Sequence, residues 1–326
     1  MHFLINVYKS DKILHLIIGA LLCVSVIFVS SSIWMMTQAN SGVQVLVENM
    51  APQIILGPVI AGQIGGVEVY SDNTLNNLIS GTSRIIYVEG LVQDLNGRED
   101  LANVTVVMHR SDNLSTCTES AEKCIKNTNC LLTNVVNPYR KAFSCLLSLP
   151  YYMDATDDSA GPHSSLNWKV TAIVTDDNGA AAIDNSRAIE VRSLVSLDIP
   201  NTISFGDRDM NSVTTSSDNL AQTITQWGNV RQDLRVKMTT DGFFCTGSDI
   251  GIPRSSMKWA LTDIGFDSPS STAVASSYVD TNFAITKRTS SAAVTKNFYW
   301  NLSIPYGVSG SCSATLDILA KNANLP

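Results

Sequence analysis

The hydrophobic pattern of this chain changes once, sharply, near residue 37. Before that point, residues 13–29 (ILHLIIGALLCVSVIFV) are apolar with no formal charge. A helix that crosses a bilayer core needs about 20 apolar residues. Ser30, Ser31 and Ser32 are tolerable at a helix end, and Ile33-Trp34-Met35-Met36 extends the run. After residue 37 no segment sustains a 3.6-residue period. Short alternations of apolar and polar residues recur instead, punctuated by Gly, Asn, Asp and Pro, which is the pattern of strands and turns.

Val43, Val45 and Val47 alternate as a half-buried strand does, and Ala51-Pro52 interrupts them. Residues 54–69 are apolar but broken by glycines, too irregular to assign firmly to an element. Residues 84–92 read as a strand, Asp94-Leu95-Asn96-Gly97 as a turn, and residues 103–110 as a second strand. Residues 131–136 and 142–149 flank Asn137-Pro138-Tyr139-Arg140 and predict a hairpin. Residues 166–175 place Trp168, Val170, Ala172 and Val174 on one strand face. Asp176-Asp177-Asn178-Gly179 follows, an Asn-Gly turn suited to a primed hairpin, with the return strand expected at 187–192. A second unit starts near Leu194. Its expected strands are 195–199, 203–206, 220–226, 234–238, 258–261, 283–286, 298–304 and 313–319, with turns at 227–229 and 305–307. Strands this short and this evenly spaced predict an all-β chain of two tandem β-sandwiches, over residues 40–193 and 194–326, behind a leader of residues 1–39.

Charge orients the leader. Lys9 and Lys12 precede the apolar run, and no Lys or Arg follows it until Arg84. The positive-inside rule then leaves a cytoplasmic stub and puts the rest of the chain outside, with Trp34 at the interface. The run is longer than the roughly 7–15 residues of a signal-peptide core, which favours an uncleaved signal anchor. Thr37-Gln38-Ala39 offers a cleavage site for the alternative, a secreted protein. Either way the sandwiches are extracytoplasmic, and the membrane is a partner through the helix.

Composition agrees with export. Charged residues are 16% of the chain, with Ser, Thr and Asn in their place, and the net charge of −7 argues against nucleic-acid binding. Cys23 lies in the apolar run, which leaves six cysteines outside it: Cys117, Cys124, Cys130, Cys145, Cys245 and Cys312. An even number is what an oxidising compartment predicts. A zinc site is the competing reading, but there is no C-x-x-C pair and no flanking histidine. Cys245 and Cys312 are the only cysteines of the second unit and are expected to pair. In the first, the midpoint of Cys130 and Cys145 falls within Asn137-Pro138, so antiparallel pairing brings them opposite one another. Cys117 and Cys124 are left to close a polar loop.

Residues 88–104, VEGLVQDLNGREDLANV, carry a V-x-G-x-V-x-D-x-N-G-like turn followed by a D-L-x-x-V strand start. With Tyr151-Tyr-Met-Asp-Ala-Thr-Asp157 and residues 168–179, this resembles the immunoglobulin-like domains of bacterial and archaeal cell-surface proteins. The second half, through residues 197–206, 223–229 and 299–305, resembles the companion domain of such proteins. Gln226-Trp227-Gly228-Asn229 departs from the usual N-x-G-N at its first position. The resemblance implies architecture and carries no catalytic residue across.

Functional candidates are few. Asp94, Asn96, Glu99 and Asp100 offer oxygen ligands for calcium, but the spacing lacks the Gly at position six and Glu at position twelve of an EF-type loop. The reading adopted is an Asx-stabilised turn with no metal and no cofactor. Asp154, Asp157 and Asp158 read as a solvated acidic loop. Trp168 and Trp300 sit in alternating strands and are expected in the core; Trp227, beside Gly228, is the expected exposed aromatic. There is no G-x-S-x-G elbow, H-E-x-x-H or P-loop. The expectation is a non-enzymatic surface protein, structural or adhesive, with a surface protein or glycan as partner. The rival is a carbohydrate-binding module or accessory domain of an extracellular hydrolase.

Overall fold

The computed structural model describes residues 49–61 and 78–324. The apolar run at 13–36, the alternation at 43–47 and residues 62–69 lie outside them. Among the described residues no helix is long and apolar enough to cross a membrane. The fold is all-β, and its paired strands are antiparallel.

Among the described residues the first half has eight strands: β1 (Gln53–Ala61), β2 (Ser83–Gln93), β3 (Leu101–Arg110), β4 (Cys124–Asn127), β5 (Leu131–Asn134), β6 (Arg140–Pro150), β7 (Trp168–Asp176) and β8 (Ala181–Ile189). They form two four-stranded sheets, ordered β1-β2-β6-β5 and β4-β3-β7-β8. Alternate residues of each sheet face a shared core. Ile86, Val88 and Val92 with Phe143, Leu147 and Leu149 meet Val104, Val106 and Met108 with Trp168, Val170 and Val174. Each such buried side chain stabilises the fold by roughly 1.5–3 kcal/mol relative to exposure.

One detail fills a stretch the sequence left unassigned, and two depart from its expectation. Residues 53–61 pair with β2 although glycine and proline break their pattern. The register slips between Leu56 and Val59, around Gly57-Pro58, where proline has no N–H to give the ladder. β8 starts at Ala181, immediately after the turn, rather than at 187. The turn itself is not primed. Gly179 has φ of 85° while Asn178 is not among the positive-φ residues. The Asp176 carboxylate takes the N–H groups of Asn178 (2.9 Å) and Ala180 (2.8 Å), an Asx arrangement that leaves the left-handed position to glycine.

The second half contains β9 (Leu197–Asp198), β10 (Leu220–Gln226), β11 (Gln232–Met238), β12 (Gly242–Cys245), β13 (Ile252–Pro253), β14 (Met257–Ala260), β15 (Thr272–Ala273), β16 (Val279–Asp280), β17 (Val294–Leu302), β18 (Cys312–Ser313) and β19 (Leu316–Asn322). Their sheets run β15-β14-β17-β10-β9, β16-β11-β19 and β13-β12-β18. The core is aromatic. Phe298 lies 5.0 Å from Trp300 and 5.5 Å from Trp259, ring centre to ring centre. Residues 203–206 are not a strand: Ile203 and Phe205 pack on the core without entering a ladder. The stretch at 283–286 contributes a single bridge, Ile285 to Gln232.

Three disulfides staple these elements: Cys117–Cys124, Cys130–Cys145 and Cys245–Cys312. Leu131 lies opposite Ser144 in the β5–β6 hairpin. One step further, Cys130 faces Cys145 with Cα atoms 4.5 Å apart. Cys245 and Cys312 are directly opposed in β12 and β18. Disulfides are the usage of an extracytoplasmic, oxidising compartment.

Candidate functional site

The β2–β6 ladder runs from Ser83 opposite Pro150 to Gln93 opposite Arg140. Eleven residues of strand separate those two ends by roughly 30–35 Å. Each end carries a cluster of buried polar side chains, and the two clusters are built on different principles.

At the Gln93 end, the turn after β2, the start of β3 and the end of β7 converge. They bring carboxylate oxygens of Asp94, Asp100 and Asp176 within 4.8 Å of one another. Asp94 and Asp176 are buried and Asp100 is half-buried. Asp94 Oδ1 accepts the Asn96 N–H at 2.7 Å, whereas Asp94 Oδ2 is buried with no hydrogen-bond partner. The Asp177 N–H donates to the Asp100 carbonyl at 2.9 Å and ties the two turns together. Asn49 Nδ2 donates to Asp176 Oδ2 at 2.8 Å, and the Met50 N–H to Asn96 Oδ1 at 2.8 Å. Electrostatics divides the three acids. Burial, then Asp94, Asp176 and Asp177, pushes the Asp100 carboxyl above its ordinary pKa. The hydrogen bond from Asn49, aided by the turn N–H groups, holds Asp176 below its own. The nearby cations point elsewhere: Arg98 reaches Glu99 and the Val135 carbonyl, and Lys141 the Leu101 carbonyl.

Three of the four sequence candidates, Asp94, Asn96 and Asp100, therefore come together here. Glu99 is exposed and pairs with Arg98 at 3.0 Å. Asp176 was legible in the sequence only as a turn residue. Its position opposite Leu101 in the β3–β7 ladder is what makes it a neighbour of Asp100.

At the Ser83 end the loop after β6 meets the second half. The expectation of a solvated acidic loop fails: Asp154 is 2% and Asp158 6% exposed. Lys287, from the second half, donates to Asp154 Oδ1 at 2.6 Å and to Glu122 Oε1 at 2.7 Å. Arg110, at the end of β3, donates through Nη1 to Asp154 Oδ2 and, at 2.9 Å, to His163 Nε2. Its Nε and Nη2 hold both oxygens of Asp112 at 2.7 Å. Asp158 Oδ2 accepts from Asn322 at 2.8 Å. Only Asp157 of the three is exposed, and it caps the Ser193 N–H at 2.7 Å.

Burial pushes the His163 pKa down. Arg110 and Lys287 act in the same direction, against Asp154 and Asp112. The Arg110 hydrogen bond holds the Asp112 carboxyl below the usual range. Beside this lattice, a cavity of about 270 Å³ is lined by Asp154, Asp158 and His163 from one half and Val230, Arg231 and Lys287 from the other.

Trp227 belongs to this junction and is not an exposed platform. It packs against the first core, with the Arg288 guanidinium 3.9 Å above its ring. Arg288 Nη1 also donates to the Tyr151 hydroxyl at 2.7 Å. Trp168 and Trp300 are fully buried. Their indole N–H groups donate at 2.9 Å to the Asp154 carbonyl and to Gln222 Oε1 respectively.

No family model matches the chain, and no curated protein matches it. Nine solved chains do. One comes from a structure titled "Chaperone-tip adhesin complex is vital for synergistic activation of CFA/I fimbriae biogenesis". It is 7% identical, with 85% of this chain and 92% of that one covered, and the TM-score is 0.27. A superposition that loose fixes neither strand pairing nor a site, and nothing about this chain's partners follows from it.

Proposed function

We propose that the chain is a non-enzymatic cell-surface protein that uses the tip of its second half for adhesion. The apolar run of residues 13–36 anchors it, or a cleaved leader releases it. Two β-sandwiches, over residues 40–193 and 194–326, form the displayed part. The first is immunoglobulin-like. Its sheet orders, β1-β2-β6-β5 and β4-β3-β7-β8, correspond to A-B-E-D and C′-C-F-G of that topology.

The observation that carries the reading is the exposed apolar tip. β10 ends and β11 begins at the junction, so the small sheet β13-β12-β18 lies at the opposite end of the second half. There Phe244 and Tyr306 are each 73% exposed, with Ile250 and Met210 also exposed. Large exposed apolar groups on a structured end of the fold are candidates for an interaction surface. Cys245–Cys312 fixes the strands beneath them, and Asn211 Nδ2 holds the Tyr306 hydroxyl at 2.9 Å. An aromatic side chain held in place contributes contact area at low entropic cost. The partner this chemistry suits is a protein surface. A carbohydrate-binding face is the alternative, and the indoles count against it, since Trp168, Trp259 and Trp300 are buried and Trp227 is covered by Arg288.

The test uses beads coated with the full chain and scored for attachment to cells of the producing organism. The Phe244→Ser/Tyr306→Ser double variant, with an unchanged melting temperature, is expected to attach about tenfold less, a loss of about 1.4 kcal/mol. Equal attachment by both proteins, or retention of the wild type on a glycan array, overturns the reading.

A further inference from the structure

We propose that Asp94, Asp100 and Asp176 form a calcium site at the end of the first half remote from the second. The proposal is independent of the adhesive tip.

Three observations support it. The first is geometric. Carboxylate oxygens of the three residues lie within 4.8 Å of one another. Oxygens bonded to one calcium ion at about 2.3–2.6 Å lie at most roughly 4.6–5.2 Å apart, so these three residues can reach a single ion. The second is the state of Asp94. The residue is 1% exposed, and its Oδ2 makes no hydrogen bond. A buried carboxylate oxygen without a donor has lost its hydration with no replacement, a deficit that a bound cation removes. The third is the charge count. Three carboxylates converge here, and the neighbouring Arg98 and Lys141 are engaged by other acceptors.

The ligand set is all oxygen, which suits a hard cation and not zinc or copper. Asn96 and Asn49 sit at the rim, where amide oxygens or bound waters complete the six to eight ligands of calcium. Asn49 and Met50 are already tied to Asp176 and Asn96. Binding would therefore fasten the polypeptide where it enters the first half.

The experiment is calorimetry and thermal melting of the full chain, stripped with EDTA and titrated with calcium chloride or magnesium chloride alone. The expected result is one calcium ion per chain, a melting temperature raised by about 5 °C or more at saturation, and at least tenfold weaker magnesium binding. Asp94→Asn is close to isosteric and is expected to lose the calcium heat and the shift while keeping its circular dichroism. Asp100→Asn serves as the second variant, since Asp100 makes fewer turn hydrogen bonds than Asp176. No heat and no shift with the wild type at millimolar calcium overturns the proposal. So does a calcium shift that survives in both variants.

Discussion

The two ends of the first half bury acids in similar number and treat them in opposite ways. At the junction, Asp154 is held by Arg110 and Lys287, and Asp158 by the Asn322 amide. At the other end, Asp94, Asp100 and Asp176 face one another. The difference shows what a buried carboxylate asks of its fold. Charge taken out of water has to be paired and hydrogen-bonded. Where the chain supplies the pairing cation, the outcome is a structural lock. Where the donors are amides and turn N–H groups, the acids are left crowding one another, the arrangement we propose as a calcium site.

Removing the acid at the centre of the lock tests the contrast most strongly. Asp154→Ala leaves Arg110 and Lys287 facing each other without their common partner. It is expected to lower stability by about 3–5 kcal/mol, as breaking a buried ion pair does, measured by urea denaturation. The same truncation at Asp94, in the absence of divalent cations, relieves repulsion and should not destabilise comparably. Equal losses at the two sites would abolish the distinction between the ends.

A smaller effect concerns pH. The groups facing His163 are Arg110, Lys287, Asp154 and Asp112. Because the folded pKa lies below the unfolded value of about 6.5, the native state resists protonation. Its stability is therefore full above that value and declines as the pH falls from about 6.5 toward the lowered folded pKa. His163→Gln keeps an acceptor for Arg110 and should flatten the melting temperature across pH 5–7. An unchanged slope would show that His163 does not titrate the lock.

The smallest expected change is Asp94→Asn without calcium, a gain of about 1 kcal/mol or less from weakened like-charge repulsion. A clear loss of stability in EDTA would mean that the charge is satisfied in some other way.

Much of the strand framework was legible because its burial alternates. β2, β3, β6 and β7 face water on neither inner side, and their Val, Ile and Leu positions keep period two. β10 matched residue for residue at 220–226. What escaped had lost that signal for a physical reason. β8 (AAIDNSRAI) is an edge strand with little buried surface, so nothing forces hydrophobic alternation on it. β1 is interrupted by the Gly57-Pro58 bulge. The stretch at 203–206 alternates because it packs on a core, which does not require a ladder. The sites were harder still. Asp154 looked solvated because the lysine that pairs with it is 133 residues away. Asp176 looked like a turn residue because its neighbours Asp94 and Asp100 lie on a different strand connection.

The Lys287 bridge also constrains how such a chain can change over generations. One ammonium group holds Glu122 and Asp154, both from the other half, while Arg288 next to it covers Trp227 and reaches Tyr151. A recombination event that exchanged the second half for a relative's would succeed only if the incoming segment carried both basic residues at matching places. A second half without these two basic residues would leave Glu122 and Asp154 without their lysine and Trp227 without its guanidinium cover.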